Sequence, residues 1–254
     1  MNPYFSIVIP ALNEERNIGL LLEKVTKQSY KNFEVIVVDN NSTDSTATVV
    51  HEWIQRDSRI QLISCHIQGL LPARNKGYSI ARGEIIVQFD ADEIPSRFCL
   101  ERAANHFHNK NIVALTGAYH FYDGPWWINF FSFIQYPFLW LGNIYVQYRG
   151  YGGFMLGGNA FIRKFVLDEI GGYDKDFGFM AEDLHTARAI VKYGKLAFCP
   201  NLTIGTSARR YKNKEGKYTL SRFFEVQAEY NVGTKAILKN QPLQSKEQYE
   251  LVRD

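Results

Sequence analysis

Ile85-Ile86-Val87-Gln88-Phe89-Asp90-Ala91-Asp92-Glu93 is the stretch on which the fold and chemistry of this chain turn. Its apolar start has the length and composition of a buried strand, and two carboxylates stand one residue apart at that strand's mouth. Asp90 and Asp92 so placed form a compact clamp for a hard divalent cation, Mg2+ or Mn2+. Such a cation keeps several waters and takes its remaining ligands from substrate phosphates. Placement matters as much as identity, because open α/β sheets bind ligands outside the carboxyl ends of their strands. Acidic residues are also ordinary turn formers at strand ends, so the pair alone does not decide between a site and a turn.

Working outward, Phe5–Pro10 reads as a buried strand stopped by proline. Ile18, Leu21, Leu22 and Val25 then repeat at helical spacing, with Asn13 as the expected N-cap. Phe33–Val38 is a second buried strand, ending in Asp39-Asn-Asn-Ser-Thr-Asp44. Ser42 or Thr43 there is expected to cap a helix carrying Val49, Val50, Trp53 and Ile54. Ile60–Ile63 is a third strand, a helix runs through Ala73–Ala81 to stop at Gly83, and Ile112–Leu115 is a strand after the Asp pair. Strands alternating with helices predict an α/β fold, a mostly parallel sheet with helices on both faces. Right-handed crossovers then bring the turns after Ile9, Val38 and Phe89 to one edge. There is no Gly-x-Gly-x-x-Gly after the first strand and no P-loop lysine motif, which disfavours dinucleotide binding and phosphate-loop hydrolysis.

The 254 residues, 46% hydrophobic and 22% charged, suit one large α/β domain with a sizeable core. A net charge of +3, with no long basic run, gives no reason to expect nucleic acid as a partner. Cys65, Cys99 and Cys199 are odd in number and far apart, so neither a disulfide framework nor a zinc site is supported. A reducing, cytoplasmic setting is expected. The N-terminus enters a strand at once, without the features of a secretion signal.

Four blocks resemble the inverting nucleotide-sugar glycosyltransferases of family 2, which have the GT-A fold. They are Ser6–Glu15, Glu34–Asp44, Ala73-Arg-Asn-Lys-Gly77 leading into Phe89–Asp92, and Gly157–Ala160 through Gly171–Asp174 to Ala181-Glu-Asp-Leu184. The resemblance spans roughly residues 5–211 and implies a single domain. Its nucleotide-sugar half would end about residue 120, its acceptor half would be about 121–218, and a helical extension would cover 219–254. It implies that Pro10, Asn13 and Glu14 border the nucleoside, that Asp39 accepts from the base, and that Arg74 lies close to base, ribose or phosphate. Asp90, Ala91 and Asp92 would be the metal-diphosphate motif, with Asp92 the likelier direct ligand. Asp183 would be the general base, with Glu182 and Gly158 on the acceptor side. An inverting transfer needs a carboxylate to take the acceptor hydroxyl's proton, although acidic residues in a helix's first turn also suit its dipole. Thr206–Tyr211 falls where the family often has a segment closing over the donor, and Arg209 and Arg210 suit paired phosphate oxygens. No histidine stands there to supply a third metal ligand. The donor implied is a nucleotide sugar, uridine first and guanosine second. The acceptor is a saccharide or a lipid-linked one. His185, two residues from Asp183, is expected to pack or face solvent, and His106 and His108 to lie on the surface of a helix end.

Gly124–Tyr148 holds no charged residue and is dense in aromatics. Asn129, Gln135, Pro137, Gly142, Asn143 and Gln147 interrupt it, so a transmembrane helix is not expected. Three readings stay open: contact with the membrane interface, an aromatic platform for the acceptor (Trp126 and Trp127), and a buried helical hairpin or dimer contact. Leu220–Leu238 reads as a second interfacial helix or a cover for the core. Two rivals stand beside a transferase. A sugar nucleotidyltransferase would need a Gly-rich phosphate loop where Asn13-Glu-Glu-Arg16 stands. A non-catalytic scaffold sits poorly with the intact Asp39, Asp90, Asp92 and Asp183.

Overall fold

Four apolar runs become four parallel strands in a computed structural model that describes residues 2–149, 153–173 and 182–225. They are β1 (Phe5–Ala11), β2 (Phe33–Asp39), β3 (Ile60–Ser64) and β4 (Ile85–Gln88). β1 and β2 are buried along almost their whole length, as strands covered on both faces must be. The crossovers are α1 (Ile18–Thr26), α2 (Thr46–Arg56) and α3 (Leu70–Ile80). Then follow β5 (Ile94–Pro95), α4 (Cys99–Phe107), β6 (Ile112–Phe121), α5 (Trp126–Tyr148), β7 (Ala160–Arg163), α6 (Lys164–Ile170), α7 (Glu182–Ile190) and β8 (Lys195–Thr206). One sheet results, in the order β3-β2-β1-β4-β7-β6-β8-β5. Ile18, Val50 and Leu100, from α1, α2 and α4, fill one face. Leu71, Val166 and Ile190, from α3, α6 and α7, fill the other.

β7 decides where the site forms. It runs antiparallel to β4, with Gln88 opposite Ala160, and antiparallel to β6, with Thr116 opposite the same residue. The start of β7 therefore lies beside the end of β4. A short 3-10 turn, Gly157–Asn159, is delivered next to Asp90.

Several local expectations need correction. Asn13 does not cap α1; Asn17 holds that position, and its side-chain amide donates to Glu14 Oε2 at 2.6 Å. Asn13 instead sits at φ 55°, a left-handed conformation that asparagine tolerates. There its Oδ1 accepts from the Thr43 backbone at 2.8 Å, tying the first loop to the second. Neither Ser42 nor Thr43 caps α2. Ser45 holds the N-cap, and Asp44 Oδ1 accepts from the Thr46 N–H at 2.9 Å. The third helix begins at Leu70, and β6 extends to Phe121. Gly124–Tyr148 is no hairpin: one helix of 23 residues carries Pro137 inside it. No helix among the described residues is long and apolar enough to cross a membrane. Asp174, Ala181 and the expected extension beyond Glu225, including most of Leu220–Leu238, lie outside the described residues.

Candidate active site

Above the carboxyl ends of β1 and β4 opens a cleft of about 1120 Å³. Pro10, Glu14, Arg74, Asp90, Ala91, Asp92, Gly158, Asp183, Arg209 and Arg210 all line it. Asn13 and Asp39 do not line it. Asp39 Oδ1 accepts from the Ser42 N–H at 3.3 Å, while its neighbour Asn40 is the residue that faces the cleft. Buried Asn40 accepts from Gly69 N at 2.7 Å and donates to the Cys65 and Ile67 carbonyls. Trp126 and Trp127 do not line it either. α5 contributes Ser132, Gln135, Tyr136, Phe138, Leu139 and Gly142 instead. The Glu182 side chain lies outside the described residues.

Arg74 organises the floor. It projects from α3, almost fully buried, with Nη2 3.2 Å from Asp90 Oδ1 and Nη1 3.7 Å from Asp183 Oδ1. One guanidinium thus joins the strand-end carboxylate to the carboxylate at the start of α7. Asp183 Oδ2 also accepts from the Gly157 N–H at 3.0 Å. Burial pushes the Asp183 carboxyl up to about 6, against the pull of Arg74 and with a further push from Asp90. Burial likewise raises Asp92, opposed by Arg209 and reinforced by Asp90 and Glu14. Arg209 reaches over from the far wall, 3.3 Å from Glu14 Oε1 and 3.2 Å from Asp92 Oδ2.

Glu93, next to Asp92 in the chain and without an expected role, is central to the geometry. It is buried, its Oε2 accepts from the Asp90 N–H at 3.0 Å, and burial beside Asp90 holds its carboxyl well above the usual range. A third acidic residue within four positions, Asp90-Ala91-Asp92-Glu93, was the available signal. Gly158, expected on the acceptor side, and its neighbour Gly157, which had no role of its own, are held tightly against the carboxylates. A Cβ on Gly158 would fall 2.7 Å from Asp90 Oδ2 and closer still to Glu93. One on Gly157 would fall 2.6 Å from Asp183 Cγ. The carboxylates pack against bare backbone. Gly157→Ala is therefore expected to lower stability by about 1–3 kcal/mol through overpacking and to push Asp183 off its hydrogen bond. A denaturant midpoint and a transfer assay on the same preparation would show this; wild-type values of both would mean the turn can step aside.

His185 is half-buried and lines a separate, smaller cavity with Tyr78 and Tyr173. His106 is half-buried and His108 exposed, at the end of α4. Among the described residues no group of three or more His, Cys, Asp or Glu side chains is arranged to hold a metal ion.

The profile described as Glycosyl transferase family 2 matches residues 6–171, well over half of the chain. The chain belongs to glycosyl transferase family 2. Asp183, Arg209 and Arg210 lie beyond the matched residues. WfgD of Escherichia coli, a UDP-Glc:alpha-D-GlcNAc-diphosphoundecaprenol beta-1,3-glucosyltransferase, is 35% identical over 115 residues, covering 45% of this chain and 45% of that protein. The matches cover less than half the length of such curated relatives. Mannosyltransferase PcManGT from Pyrobaculum calidifontis, solved in complex with GDP-Man and Mn2+, superposes with a TM-score of 0.69 at 22% identity, over 97% of this chain and 67% of that one. S. aureus TarS 1-349 in complex with UDP-GlcNAc gives 0.66 at 20% identity, over 95% and 68%. These likenesses establish the GT-A fold of this family 2 chain.

Proposed function

We propose that this chain moves a hexosyl group from a nucleoside diphosphate to an acceptor hydroxyl with inversion, and that Asp183 is its general base. The observation that carries the reading is that Asp90, Asp92 and Asp183 share one cleft, with Arg74 between the strand-end carboxylate and the one on α7. A carboxyl near pH 6 is well matched to taking a hydroxyl proton at neutral pH. The donor half, to about residue 120, supplies Pro10, Glu14, Arg74, Asp90 and Asp92; the acceptor half, about 121–218, supplies Gly158, Asp183 and the arginines.

The residues fit a divalent cation of the Mg2+ or Mn2+ kind. Asp90 and Asp92 offer hard oxygens, and burial, reinforced by Asp90 and Glu14, raises the Asp92 carboxyl against the pull of Arg209, a cost that a bound cation would offset. With no third protein ligand among the described residues, the ion would take the rest of its shell from diphosphate and water. When bound it supplies charge stabilisation for the departing diphosphate. Arg209 and Arg210, lining the opposite wall, are placed to grip the phosphates. Uridine is the first base to test, in line with UDP-GlcNAc in the TarS neighbour and UDP-Glc in the WfgD description, and guanosine the second, in line with GDP-Man in PcManGT. The acceptor we favour is a saccharide carried on a lipid, in line with the acceptor in the WfgD description.

Calorimetric titration with UDP, GDP and their sugar conjugates, with Mn2+ and then with chelator, tests the reading. Metal-dependent binding of one nucleotide is expected. Failure of every nucleotide under both conditions would overturn it and leave a non-catalytic scaffold.

A further inference from the structure

α5 is built inside out. Its polar side chains face the protein and take over backbone groups of the sheet. Asn129 Oδ1 accepts from Phe121 N at 2.8 Å while its amide donates to Phe121 O at 2.9 Å. Gln147 does the same for Leu196, at 3.0 and 2.8 Å. Asn143 is buried and accepts from the Phe154 N–H at 3.1 Å. Outward there is only apolar and aromatic surface. Every exposed residue from Trp126 to Tyr148 is aromatic, aliphatic or proline. Trp126, Phe133, Phe138 and Tyr148 are each more than 70% exposed. At 1.5 Å per residue this stripe is roughly 34 Å long. A surface helix of a soluble protein has the opposite arrangement, and a contiguous apolar patch of this size marks a contact surface.

Two further observations name what covers it. The stripe is rich in tryptophan and tyrosine, residues that favour the interface between bilayer and water. Beside its N-terminal end stands a basic hairpin, closed by a bridge between Lys212 and Tyr218, with Lys212, Lys214 and Lys217 exposed. Tyr218 Oη donates to the Asp123 carbonyl at 3.0 Å, which fixes the hairpin next to the start of α5. The mouth of the cleft is continuous with the same face, since Phe138 and Phe224 line the cleft and are exposed.

We infer that the exposed face of α5 and the Lys212–Lys217 hairpin form a docking surface for an anionic lipid bilayer, on which the helix lies in the interfacial plane with the cleft mouth against the membrane. The aromatic stripe enters the headgroup layer, and the lysines meet the negative surface potential. This stands apart from the transfer reading, because docking needs neither donor nor metal.

Flotation of the full chain with phosphatidylcholine vesicles, with and without phosphatidylglycerol, tests it. Binding is expected to the anionic vesicles and to weaken with salt. Lys214→Glu with Lys217→Glu should lower partitioning by at least about tenfold. Trp126→Ser, Phe133→Ser and Tyr148→Ser together should abolish it. None of these five residues lines the cleft, so unchanged nucleotide binding certifies the fold of each variant. Absence of flotation on anionic vesicles would overturn the proposal. So would flotation indifferent to both sets of substitutions, or self-association that is lost in the Trp126 variant while vesicles are ignored.

Discussion

Asp183→Asn is expected to lower transfer by about 10²–10⁴-fold, the usual worth of a positioned acid or base, with donor affinity nearly unchanged. Asparagine keeps the shape of the side chain and can still accept the Gly157 N–H. It cannot take a proton. Arg74 loses one carboxylate but keeps Asp90 at 3.2 Å, so the donor side of the cleft stays assembled. The same role sets a pH dependence. Burial raises the carboxyl from its ordinary value to about 6; below that it is protonated and idle, above it ionised and competent. Transfer should rise through about pH 6 and level off above it. Arg74 favours the ionised form, so Arg74→Gln should move this limb to higher pH. Single-turnover rates across the pH range, beside calorimetric donor binding, check both. Loss of donor binding in Asp183→Asn would place this residue with the diphosphate, and an unshifted acid limb would assign it to another group.

Asp92→Ala is expected to separate stability from function. Even indirect partners of a metal cost about 10–100-fold in affinity when removed, so loss of a direct ligand should cost about a hundredfold or more in metal-dependent diphosphate binding. The fold should not suffer. Asp92 is secluded, with Arg209 favouring its ionisation and Asp90 and Glu14 opposing it, so its removal exchanges one ion pair at 3.2 Å for relief of burial and repulsion; Arg209 keeps Glu14 at 3.3 Å. Calorimetry with Mn2+ against chelator, and thermal melts of the free protein, would give weaker binding with a little-changed Tm. Equal nucleotide affinity with and without metal in the wild type would remove the clamp from the account.

The strands and crossovers to β4 were legible because fully buried parallel strands write themselves as uninterrupted apolar runs. Caps were not. Asn13 and Ser42 have the composition of helix starts, yet they join two loops to each other, and only the tertiary structure reveals that partner. Which carboxylates would converge was legible only through the order of the four blocks, since nothing near Asp183 in the chain points to Asp90. The role of α5 was illegible for another reason. Hydropathy counts the amides of Asn129, Asn143 and Gln147 as polar interruptions, whereas in the fold they face inward and leave the aromatic stripe unbroken.

The antiparallel seat of β7 carries a last consequence, for how the chain can be cut and how it folds. The donor half looks separable along the sequence, but a fragment ending near residue 120 would lack Ala160–Arg163 and leave the fully buried Ile85–Gln88 as an open sheet edge. An exposed apolar edge recruits strands from other copies. Closure of the sheet therefore waits for a segment some seventy residues downstream, a high-contact-order step expected to slow folding and to expose β4 to aggregation until β7 arrives.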